Sequence, residues 1–519
     1  MIRSLLGSSA TITRLQADFL VVGGGIAGLL VATRLARTRR HVVVIESGGE
    51  RQETESHPLN EVVYHRSTYR GATKGRFRCL GGTSTRWGGA MIPFLGADIA
   101  GGRWPIEHGE LVKYLPEVEQ LFALPAGPYD WPELIGSEEV SRSHIARLAK
   151  WPHFGKRNVA SLLKAELRSH RGPEIWLHAT AVRFVFAPDG SLENVEAEAP
   201  DGCRLVITAR ETVIAAGAIE STRLLLLADR QHGNRLFAPT GVLGRYFYDH
   251  LSAMVGRVKP DDRAALNRVA GFRFVRGGMR NLRFELAEAT PLRDQVPPGF
   301  AHISFTSRDG SGIDGLRNLY RQIQKRRLPD FPTVAVLAKN SPFIARAVWW
   351  RFAEHRLLYP FDASIELHVV IEQLPVSHNR IVLSPDRVDV FGEPLAVIDW
   401  GVSSADEKAL LRWTNLFYKF WTESQLSRLA KVLLRPSSET LSDLTAGGDV
   451  FHPGGSLRMG NRPSDGVVDH NLQVFHIPNL SVVSTAVFPT GGGANPTMML
   501  MMAALRTADR LANSVAGAG

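Results

Sequence analysis

The chain has 519 residues, of which 44% are hydrophobic and 22% charged, and its formal net charge is +10. This length allows two domains or one large two-part domain, and the composition is that of an ordinary globular protein rather than a disordered or fibrous one. Two cysteines, Cys79 and Cys203, exclude a disulfide framework and show no metal-ligand spacing, and the basic residues are scattered, so we expect no metal and no nucleic-acid partner.

The N-terminal segment does not look like a targeting signal. Residues 1–10 carry one early arginine and only a short apolar patch before the first predicted strand, which is not the pattern of a secretory signal peptide. No apolar run reaches the roughly 20 residues that a membrane span requires. We therefore predict a cytoplasmic protein.

Residues 18–46 carry the strongest local signal in the chain. A short β-branched run is followed by Gly23, Gly25 and Gly28, then by a helical pattern and a second apolar run that ends on Glu46. This spacing allows a tight turn, close approach to a pyrophosphate and close packing of the helix. The pyrophosphate then lies at a helix N-terminus. Glu46 is placed to accept hydrogen bonds from both ribose hydroxyls, which predicts FAD or NAD rather than NADP.

Two later stretches are compatible with the same cofactor. Residues 77–89 hold four glycines with hydroxyl side chains between them, a composition that suits a loop around a phosphate or ring and equally a plain surface loop. Residues 212–228 predict a short buried strand, the small residues Ala215 to Gly217, and an apolar helix. Those small residues let the backbone pass close to an adenosine, although tight helix packing explains them equally well.

The block from about Leu251 to Thr445 is richer in strands and in basic aromatic loops. We assign it to a second, substrate-binding domain. Within it, Ile365–Glu372, Arg380–Leu383 and Leu395–Trp400 alternate as strands of an antiparallel sheet do.

The same block contains a basic and aromatic insertion, residues 316–359. It includes the basic run from Arg321 to Arg327 and the aromatic run from Phe343 to Phe352. One interpretation is a face for a lipid surface or a lipid-linked substrate. The other, which we favour, is a lid or packing helix whose arginines are solvated.

The C-terminal part holds the second informative stretch. His452 lies in a glycine-rich segment, and the run Asn495-Pro496-Thr497 precedes an alanine-rich apolar helix over Met498–Leu511. Because proline suits the first turn of a helix, Asn495 is predicted to be its N-cap. The start of this helix is a second dipole end available to an electron-rich ring.

Four motifs occur in a fixed order, and together they resemble the glucose-methanol-choline oxidoreductase family of FAD-dependent flavoenzymes. They are Gly23 to Gly28 with Glu46, Gly81 to Gly89, Ala215 to Gly217, and His452 with Asn495-Pro496-Thr497. The resemblance implies an α/β fold in which a discontinuous Rossmann-like FAD-binding domain (residues 15–250 and 446–515) is joined to a substrate-binding domain (residues 251–445) built on a mostly antiparallel β-sheet.

The resemblance also implies roles for individual residues. The family's catalytic histidine corresponds to His452, which would take the proton of a substrate alcohol while hydride passes to flavin N5, and Asn495 would hydrogen-bond the same hydroxyl. A neutral imidazole and a carboxamide suit these two roles. The residues implied to bind the cofactor are Gly23, Gly25, Ile26, Ala27, Gly28, Glu46, Ser47, Gly82, Thr83, Trp87, Gly88, Val182, Ala216, Gly217, Thr485, Ala486, Asn495, Pro496 and Thr497.

The chain departs from the family pattern at two positions. The histidine that carries a covalent flavin in some sugar-oxidising members is replaced by Arg86, so we expect non-covalent FAD. Ser484 stands where many members carry aspartate or glycine, which leaves the contact to the flavin ribityl chain open.

The expected reaction is oxidation of a CH–OH group of a sugar, sugar-like or polyhydroxylated substrate to a carbonyl, with oxygen or another acceptor taking the electrons. The sugar preference depends on the Gly-Gly-Thr-Ser-Thr-Arg-Trp stretch. Two alternatives stay open: oxidation of a hydrophobic alcohol or sterol, and a non-oxidising flavoprotein on the same fold. An NAD-dependent flavin reductase would need a second glycine-rich dinucleotide turn, which the sequence lacks.

Overall fold

The computed structural model describes residues 1–136, 141–237, 241–276, 278–324 and 328–516, so Lys325 to Arg327 of the basic run lie outside the described residues. The strands are β1 (Ile2–Ser4), β2 (Ile12–Val22), β3 (Val42–Glu46), β4 (Val62–Arg66), β5 (His144–Trp151), β6 (Glu174–Leu177), β7 (Thr180–Phe186), β8 (Leu192–Glu198), β9 (Arg204–Ile214), β10 (His250–Pro260), β11 (Arg273–Val275), β12 (Gly278–Leu286), β13 (Gly299–Thr306), β14 (Ser364–Glu372), β15 (Arg380–Val388), β16 (Pro394–Trp400), β17 (Ala430–Leu434) and β18 (Leu480–Val482). The helices are α1 (Ile26–Ala36), α2 (Gly71–Lys74), α3 (Gly96–Ile99), α4 (His108–Val112), α5 (Leu115–Leu121), α6 (Val159–Leu162), α7 (Lys164–Leu167), α8 (Ala218–Gln231), α9 (Arg263–Ala270), α10 (Gly312–Gln324), α11 (Phe331–Lys339), α12 (Ser341–Trp349), α13 (Ser404–Glu423), α14 (Ser437–Gly447) and α15 (Thr497–Ala516).

The first sheet is the Rossmann-like part of the predicted fold. Its strand order is β1-β6-β3-β2-β9-β8-β7, with β18 beside β9. Neighbouring strands in the series β1-β6-β3-β2-β9 are parallel, and so are β18 and β9. β8 is antiparallel to both of its neighbours, β7 and β9. All five residues of β3 are buried, as a central parallel strand covered on both faces requires. The predicted α/β fold class is confirmed.

The second sheet is antiparallel throughout its described pairs. Its order is β11-β12-β13-β14-β10-β17, and β5 pairs with β12. This agrees with the mostly antiparallel sheet expected for the second domain. However, β5 comes from residues 144–151, inside the segment that we assigned to the FAD-binding domain.

The two faces of this sheet differ because successive side chains on a strand point to opposite sides. One face carries apolar residues such as Leu148, Phe284 and Val369, and the aromatic side chains of α13 pack there, with Phe417 5.5 Å from Phe284 between ring centroids. The strand register places the polar residues on the other face, among them Arg147, Arg283, Glu285, His302, His368, His250 and Glu372. The polar face is turned toward the segment that leads into α15, since His250 and Glu372 both hydrogen-bond Gly492 there.

A third, small sheet corrects one expectation. Arg380–Leu383 and Leu395–Trp400 are within strands, as predicted, but β15 and β16 do not join the large sheet. They form a separate sheet in which β16 pairs with β4 in parallel. Period-2 alternation identifies a strand, but it does not specify the partner strand, and β4 lies more than 300 residues earlier in the chain.

Candidate active site

A cavity of about 540 Å³ opens at the carboxyl ends of the parallel strands β2, β3 and β9. Its wall there is formed by Gly23, Glu46 and Ala215, which lie at or just after the ends of these strands. The carboxyl edge of a parallel sheet is where α/β folds bind their ligands. This cavity, called the cleft below, extends to His452 and Asn495.

The three glycines of the first turn have different roles. Gly23 has φ +109°, and a Cβ there would lie 2.6 Å from the carbonyl oxygen of Ala215. A Cβ on Gly28 would lie 1.9 Å from the carbonyl oxygen of Gly23, so this glycine lets α1 pack on the turn. A Cβ on Gly25, which lines the cleft, would meet nothing within 4 Å. Gly25 also precedes α1 with no side-chain cap, which leaves the first amides of the helix available to an anion.

Glu46 is buried at the end of β3 and lines the cleft. Its Oε2 accepts a hydrogen bond from the Gly24 amide at 2.8 Å, and its Oε1 accepts one from the Gly48 amide at 2.9 Å. Burial raises the pKa of Glu46, and the two backbone donors oppose this shift. Oε1 also accepts from the Ser47 hydroxyl at 3.5 Å, whereas Oε2 keeps a further lone pair, so Glu46 is fixed in place and still able to accept from a ribose hydroxyl.

Most other residues that we predicted to hold the cofactor line the same cleft. They are Ile26, Ala27, Ser47, Gly82, Thr83, Trp87, Gly88, Ala216, Gly217, Thr485, Asn495, Pro496 and Thr497. Gly28, Val182 and Ala486 do not contribute to the described lining. Val182 lies at a β-bulge beside the lining residue Ala181, and Ala486 is packed in the core. Their contacts to a cofactor stay predictions.

Sequence reasoning missed a charged cluster on the wall of the cleft. Glu220 is buried there, and it accepts hydrogen bonds from Arg78 Nη2 at 2.6 Å and from Arg223 Nη1 at 3.0 Å. Burial would raise the pKa of Glu220, but Arg78, Arg223 and Arg76 lower it to about 2. The cluster ties the segment before Gly81 to α8 and so fixes one wall. In the sequence Glu220 looks like an ordinary helix residue.

His452 and Asn495, the two residues predicted to be catalytic, meet at one end of the cleft. Asn495 Nδ2 lies 3.2 Å from His452 Nε2 although the residues are 43 positions apart. Asn495 is not the N-cap of α15, and that prediction is wrong. The helix begins at Thr497, and the Leu500 amide donates to the carbonyl oxygen of Pro496, so Pro496 holds the cap position.

Arg283, on the polar face of β12, fixes the orientation of the Asn495 amide. Its Nη2 lies 2.9 Å from Asn495 Oδ1, and a guanidinium can only donate. The oxygen of the amide must therefore face Arg283, which turns Asn495 Nδ2 toward His452. Because Nδ2 is a donor, His452 Nε2 accepts and carries no proton. Sequence reasoning did not find Arg283, which is 212 residues from Asn495.

A buried carboxylate holds the backbone of His452. Asp249 Oδ1 accepts from the His452 amide at 2.9 Å and Oδ2 accepts from the Phe451 amide at 3.0 Å. The hydroxyl of Tyr69 donates to Oδ2 at 2.7 Å. Burial raises the pKa of Asp249 to about 7, although every one of these contacts is a donor that favours the carboxylate. Asp249 thus positions the imidazole without touching it.

A second buried carboxylate holds the segment that precedes Asn495. Glu372 Oε2 accepts from the Gly492 amide at 2.7 Å, and its Oε1 pairs with Arg103 at 2.5 Å. His250 Nε2 donates to the carbonyl oxygen of Gly492 at 2.9 Å. Burial raises the pKa of Glu372 to about 7. Residues from the polar face of the sheet therefore hold both the N–H and the carbonyl of Gly492 and so fix the approach to Asn495.

The imidazole of His452 is held in its neutral form. Desolvation lowers the pKa of His452 well below 6.5, and the nearby His250 and Arg283 lower it further. Burial also lowers the pKa of His250 to about 4, and its ring meets that of His452 edge-on with centroids 5.2 Å apart. A neutral imidazole whose Nε2 carries no proton is the form that can take a proton from a hydroxyl.

The ligand atoms of Asp249, His250 and His452 lie within 4.8 Å of one another. Both Asp249 oxygens accept from amides and His250 Nε2 donates to a carbonyl, so these three atoms are already engaged within the protein. The cleft does fit FAD: the uncapped amides of α1 suit a pyrophosphate, the open space at Gly25 suits its close approach, and Glu46 suits a ribose.

Comparison with known proteins supports this assignment. Residues 375–504 match the family model described as GMC oxidoreductase, and residues 21–50 match the NAD(P)-binding Rossmann-like domain. The second match contains the glycine turn and Glu46, and the first contains His452 and Asn495.

Several relatives of known activity are similar to the chain. A 2-methyl-1,2-propanediol dehydrogenase of Mycolicibacterium austroafricanum is 25% identical, over 73% of this chain but only 58% of the relative. A paromamine 6'-oxidase of Streptomyces fradiae is 23% identical over 96% of this chain and 92% of its own length. The large subunit of a fructose dehydrogenase of Gluconobacter japonicus is 22% identical over 96% of this chain and 98% of its own length.

The fold is also that of solved structures. A formate oxidase of Aspergillus oryzae superposes with a TM-score of 0.59 at 17% identity, covering 97% of this chain and 99% of the other. None of the described helices combines the length and apolar character that a membrane crossing requires, and the cytoplasmic location stays a prediction. The C-terminal quarter of the chain thus matches the GMC oxidoreductase model, and over most of its length the chain is similar to proteins described as GMC-type oxidoreductases.

Proposed function

We propose that the chain is an FAD-dependent oxidoreductase that converts a CH–OH group of a sugar, sugar-like or polyhydroxylated substrate into a carbonyl. The observation that carries the proposal is the 3.2 Å contact between Asn495 Nδ2 and His452 Nε2 at the end of the cleft. Arg283 orients this pair so that a hydrogen-bond donor and a proton acceptor lie side by side.

In this mechanism a substrate hydroxyl replaces the direct hydrogen bond between the two side chains and contacts both of them. Asn495 Nδ2 donates a hydrogen bond to the hydroxyl oxygen, and His452 Nε2 takes the hydroxyl proton. Bound FAD supplies the two-electron chemistry. The pKa of His452, which desolvation lowers below 6.5, keeps the base unprotonated at neutral pH. Asp249 and Glu372 hold the two segments that carry this pair, so the reacting groups are positioned before the substrate arrives.

We propose non-covalent binding of the FAD. Arg86 lines the cleft and cannot form the histidyl link, and its Nε donates to Gln52 Oε1 at 3.0 Å. We also keep the division into an FAD-binding part, residues 15–250 and 446–515, and a substrate-binding part, residues 251–445, with β5 contributing to the sheet of the latter.

The surroundings of the pair support this substrate class. The face of the sheet that carries Arg283 and His250 is polar, and hydroxyl-rich substrates supply partners for such a face. The relatives named for paromamine, fructose and a propanediol act on compounds of this kind. A hydrophobic alcohol or a sterol is the second candidate, and a non-oxidising flavoprotein is the third, disfavoured because both His452 and Asn495 are present.

The test is anaerobic bleaching of the flavin absorbance by a panel of sugars, polyols, amino sugars and apolar alcohols. His452→Ala and Asn495→Ala are compared with wild type, and His170→Ala, an exposed histidine, is the matched control. We expect one polyhydroxylated class to bleach the flavin in the wild type and the control and not in His452→Ala. Admission of air then shows whether oxygen is the electron acceptor.

Other results would change the assignment. Bleaching by apolar alcohols alone would select the second candidate. A yellow protein that no alcohol bleaches would support the non-oxidising one, and a colourless protein would refute the cofactor assignment.

A further inference from the structure

The insertion, residues 316–359, presents an apolar stripe to solvent. On α11, Phe331, Val334, Ala335 and Ala338 are all exposed, at the i, i+3, i+4, i+7 spacing of one helix face. The opposite face, with Thr333, Val336 and Leu337, is the one that is at least partly buried. In an ordinary surface helix the outward face would be polar.

The next helix repeats the arrangement. Ala345, Val348, Trp349 and Phe352 are exposed at the same spacing along α12 and the turn that follows it. The Trp349 side chain is 57% exposed and that of Phe352 is 71% exposed. The neighbouring Trp350 is buried, so the insertion does have its own packed side.

Both stripes face away from the helix on which α11 and α12 pack. A Cβ added to Gly312 of α10 would lie 2.4 Å from the Phe343 ring, and one added to Gly315 would lie 3.0 Å from Val336. The inner faces of α11 and α12 therefore contact α10, and their outer faces are exposed to solvent. The interpretation as a packing helix, which we favoured from the sequence, does not account for the outer faces.

The exposed apolar side chains are concentrated here. Among the described residues, the three most exposed large apolar side chains are Leu328 at 91%, Phe361 at 87% and Phe331 at 83%, all in or next to the insertion. Scattered apolar side chains are normal on a protein surface, but a contiguous apolar patch marks an interaction site.

The charge of the insertion identifies the partner. Residues 316–359 contain nine Lys and Arg against two Asp and Glu, a formal net charge of +7 within a chain whose total is +10. Both acids serve internal contacts: Asp330 caps α11 at Thr333, and Glu354 pairs with Arg268. Lys339 and Arg346 are exposed beside the apolar stripes. Aromatic anchors flanked by basic residues fit a surface that is apolar inside and anionic outside, which is a phospholipid membrane.

We propose that the insertion docks the protein reversibly onto an anionic membrane surface, with Phe331, Trp349 and Phe352 entering the headgroup region. The apolar side chains supply burial and the basic residues supply attraction to anionic headgroups. The proposal is independent of the substrate and of the chemistry at His452.

Co-sedimentation with vesicles tests it. The FAD-loaded protein is mixed with phosphatidylcholine vesicles or with phosphatidylcholine–phosphatidylglycerol vesicles, at low and at high salt. We expect binding to the anionic vesicles that weakens with salt, because the Debye length falls to about 3 Å at 1 M. The variant Phe331→Ser/Trp349→Ser/Phe352→Ser should lose at least about tenfold in vesicle affinity. Lys339→Glu/Arg346→Glu should lose affinity for anionic vesicles only.

The matched control is Val388→Ser/Val390→Ser, two exposed apolar residues near the β15–β16 connection, outside the insertion. It should bind vesicles as the wild type does. Absence of binding to anionic vesicles at low salt would overturn the proposal, as would equal binding by the triple variant. Sedimentation velocity without vesicles tests whether the patch binds a second copy of the chain. If the wild type is a dimer and the triple variant is a monomer, the patch is a dimer interface and the membrane proposal is overturned.

Discussion

Replacing Arg283 with methionine separates the effect of this buried arginine on the reaction rate from its effect on stability. The substitution keeps a long apolar side chain but removes the donor that faces Asn495 Oδ1. Without it, the Asn495 amide is free to turn its oxygen toward His452. In that orientation it no longer donates to His452 Nε2 or to a substrate hydroxyl, so we expect activity to fall.

The size of the loss follows from the contact. A hydrogen bond from a charged donor contributes about 1.5–3 kcal/mol. Each 1.4 kcal/mol is about a factor of ten in rate, so kcat/KM for flavin reduction should fall roughly 10- to 100-fold. Stability should not fall with the rate. Among the described residues, Arg283 Nε and Nη1 have no hydrogen-bond partner. Removing a buried cation relieves its desolvation cost, which offsets the lost contacts to Asn495 and to the Phe300 ring, so the variant should be at least as stable as the wild type.

The same substitution should move the pH profile. Desolvation, then His250, then Arg283 lower the pKa of His452. Removing the positive charge of Arg283 raises that pKa, so the imidazole becomes protonated at a higher pH. Since the base acts only when unprotonated, the acid limb of kcat/KM should lie below pH 6.5 in the wild type and shift upward in Arg283→Met.

The assay is stopped-flow flavin reduction from about pH 5 to 8, with thermal unfolding of the same samples. Arg280→Met is the matched control, because Arg280 is also buried on β12 but donates on the opposite face to backbone carbonyls of residues 126 and 128. It should lower stability and leave the rate unchanged. An Arg283→Met protein with wild-type rate and an unmoved acid limb would refute the positioning role.

Three further predictions concern the cleft and its supports. Glu220→Gln should lower the free energy of unfolding by about 3 kcal/mol at pH 7 and by much less at pH 3. The pKa of Glu220 is about 2 in the folded protein against an ordinary 4.5, so its charge contributes stability above pH 4.5 that is lost as the pH falls toward 2. A loss in chemical denaturation that does not depend on pH would contradict this. Gly25→Ala should leave the melting temperature of the apoprotein unchanged and weaken FAD binding in fluorescence titrations. Gly23→Ala should instead destabilise the apoprotein itself, since its Cβ would meet the Ala215 carbonyl. Equal melting temperatures for the two variants would be evidence against the two roles. Asp249→Asn should slow flavin reduction about 10-fold or more, because one amide NH₂ then faces backbone donors, and a fully active variant would exclude Asp249 as a positioning group.

The parts of the site that the sequence predicted are those whose determinants are local. The glycine turn and Glu46 lie in one strand–helix–strand unit, so their spacing along the chain is also their geometry in space. His452 and Asn495 belong to short motifs next to a helix start, and the family resemblance supplied their roles. The N-cap prediction for Asn495 failed because two distant side chains, Arg283 and His452, compete for its amide.

What only the tertiary structure decided depends on contacts between distant segments. By itself the sequence determined the α/β class, the cofactor turn and the two candidate catalytic residues. It could not assign Arg283, because strand pairing places β12 above a residue 212 positions away. It could not assign Asp249 to the backbone of His452 for the same reason, at a separation of 203. The sequence also could not show which face of α11 points outward, because a packed and an exposed apolar stripe have the same sequence pattern. Only the position of α10, on the other face of α11, leaves Phe331 in solvent.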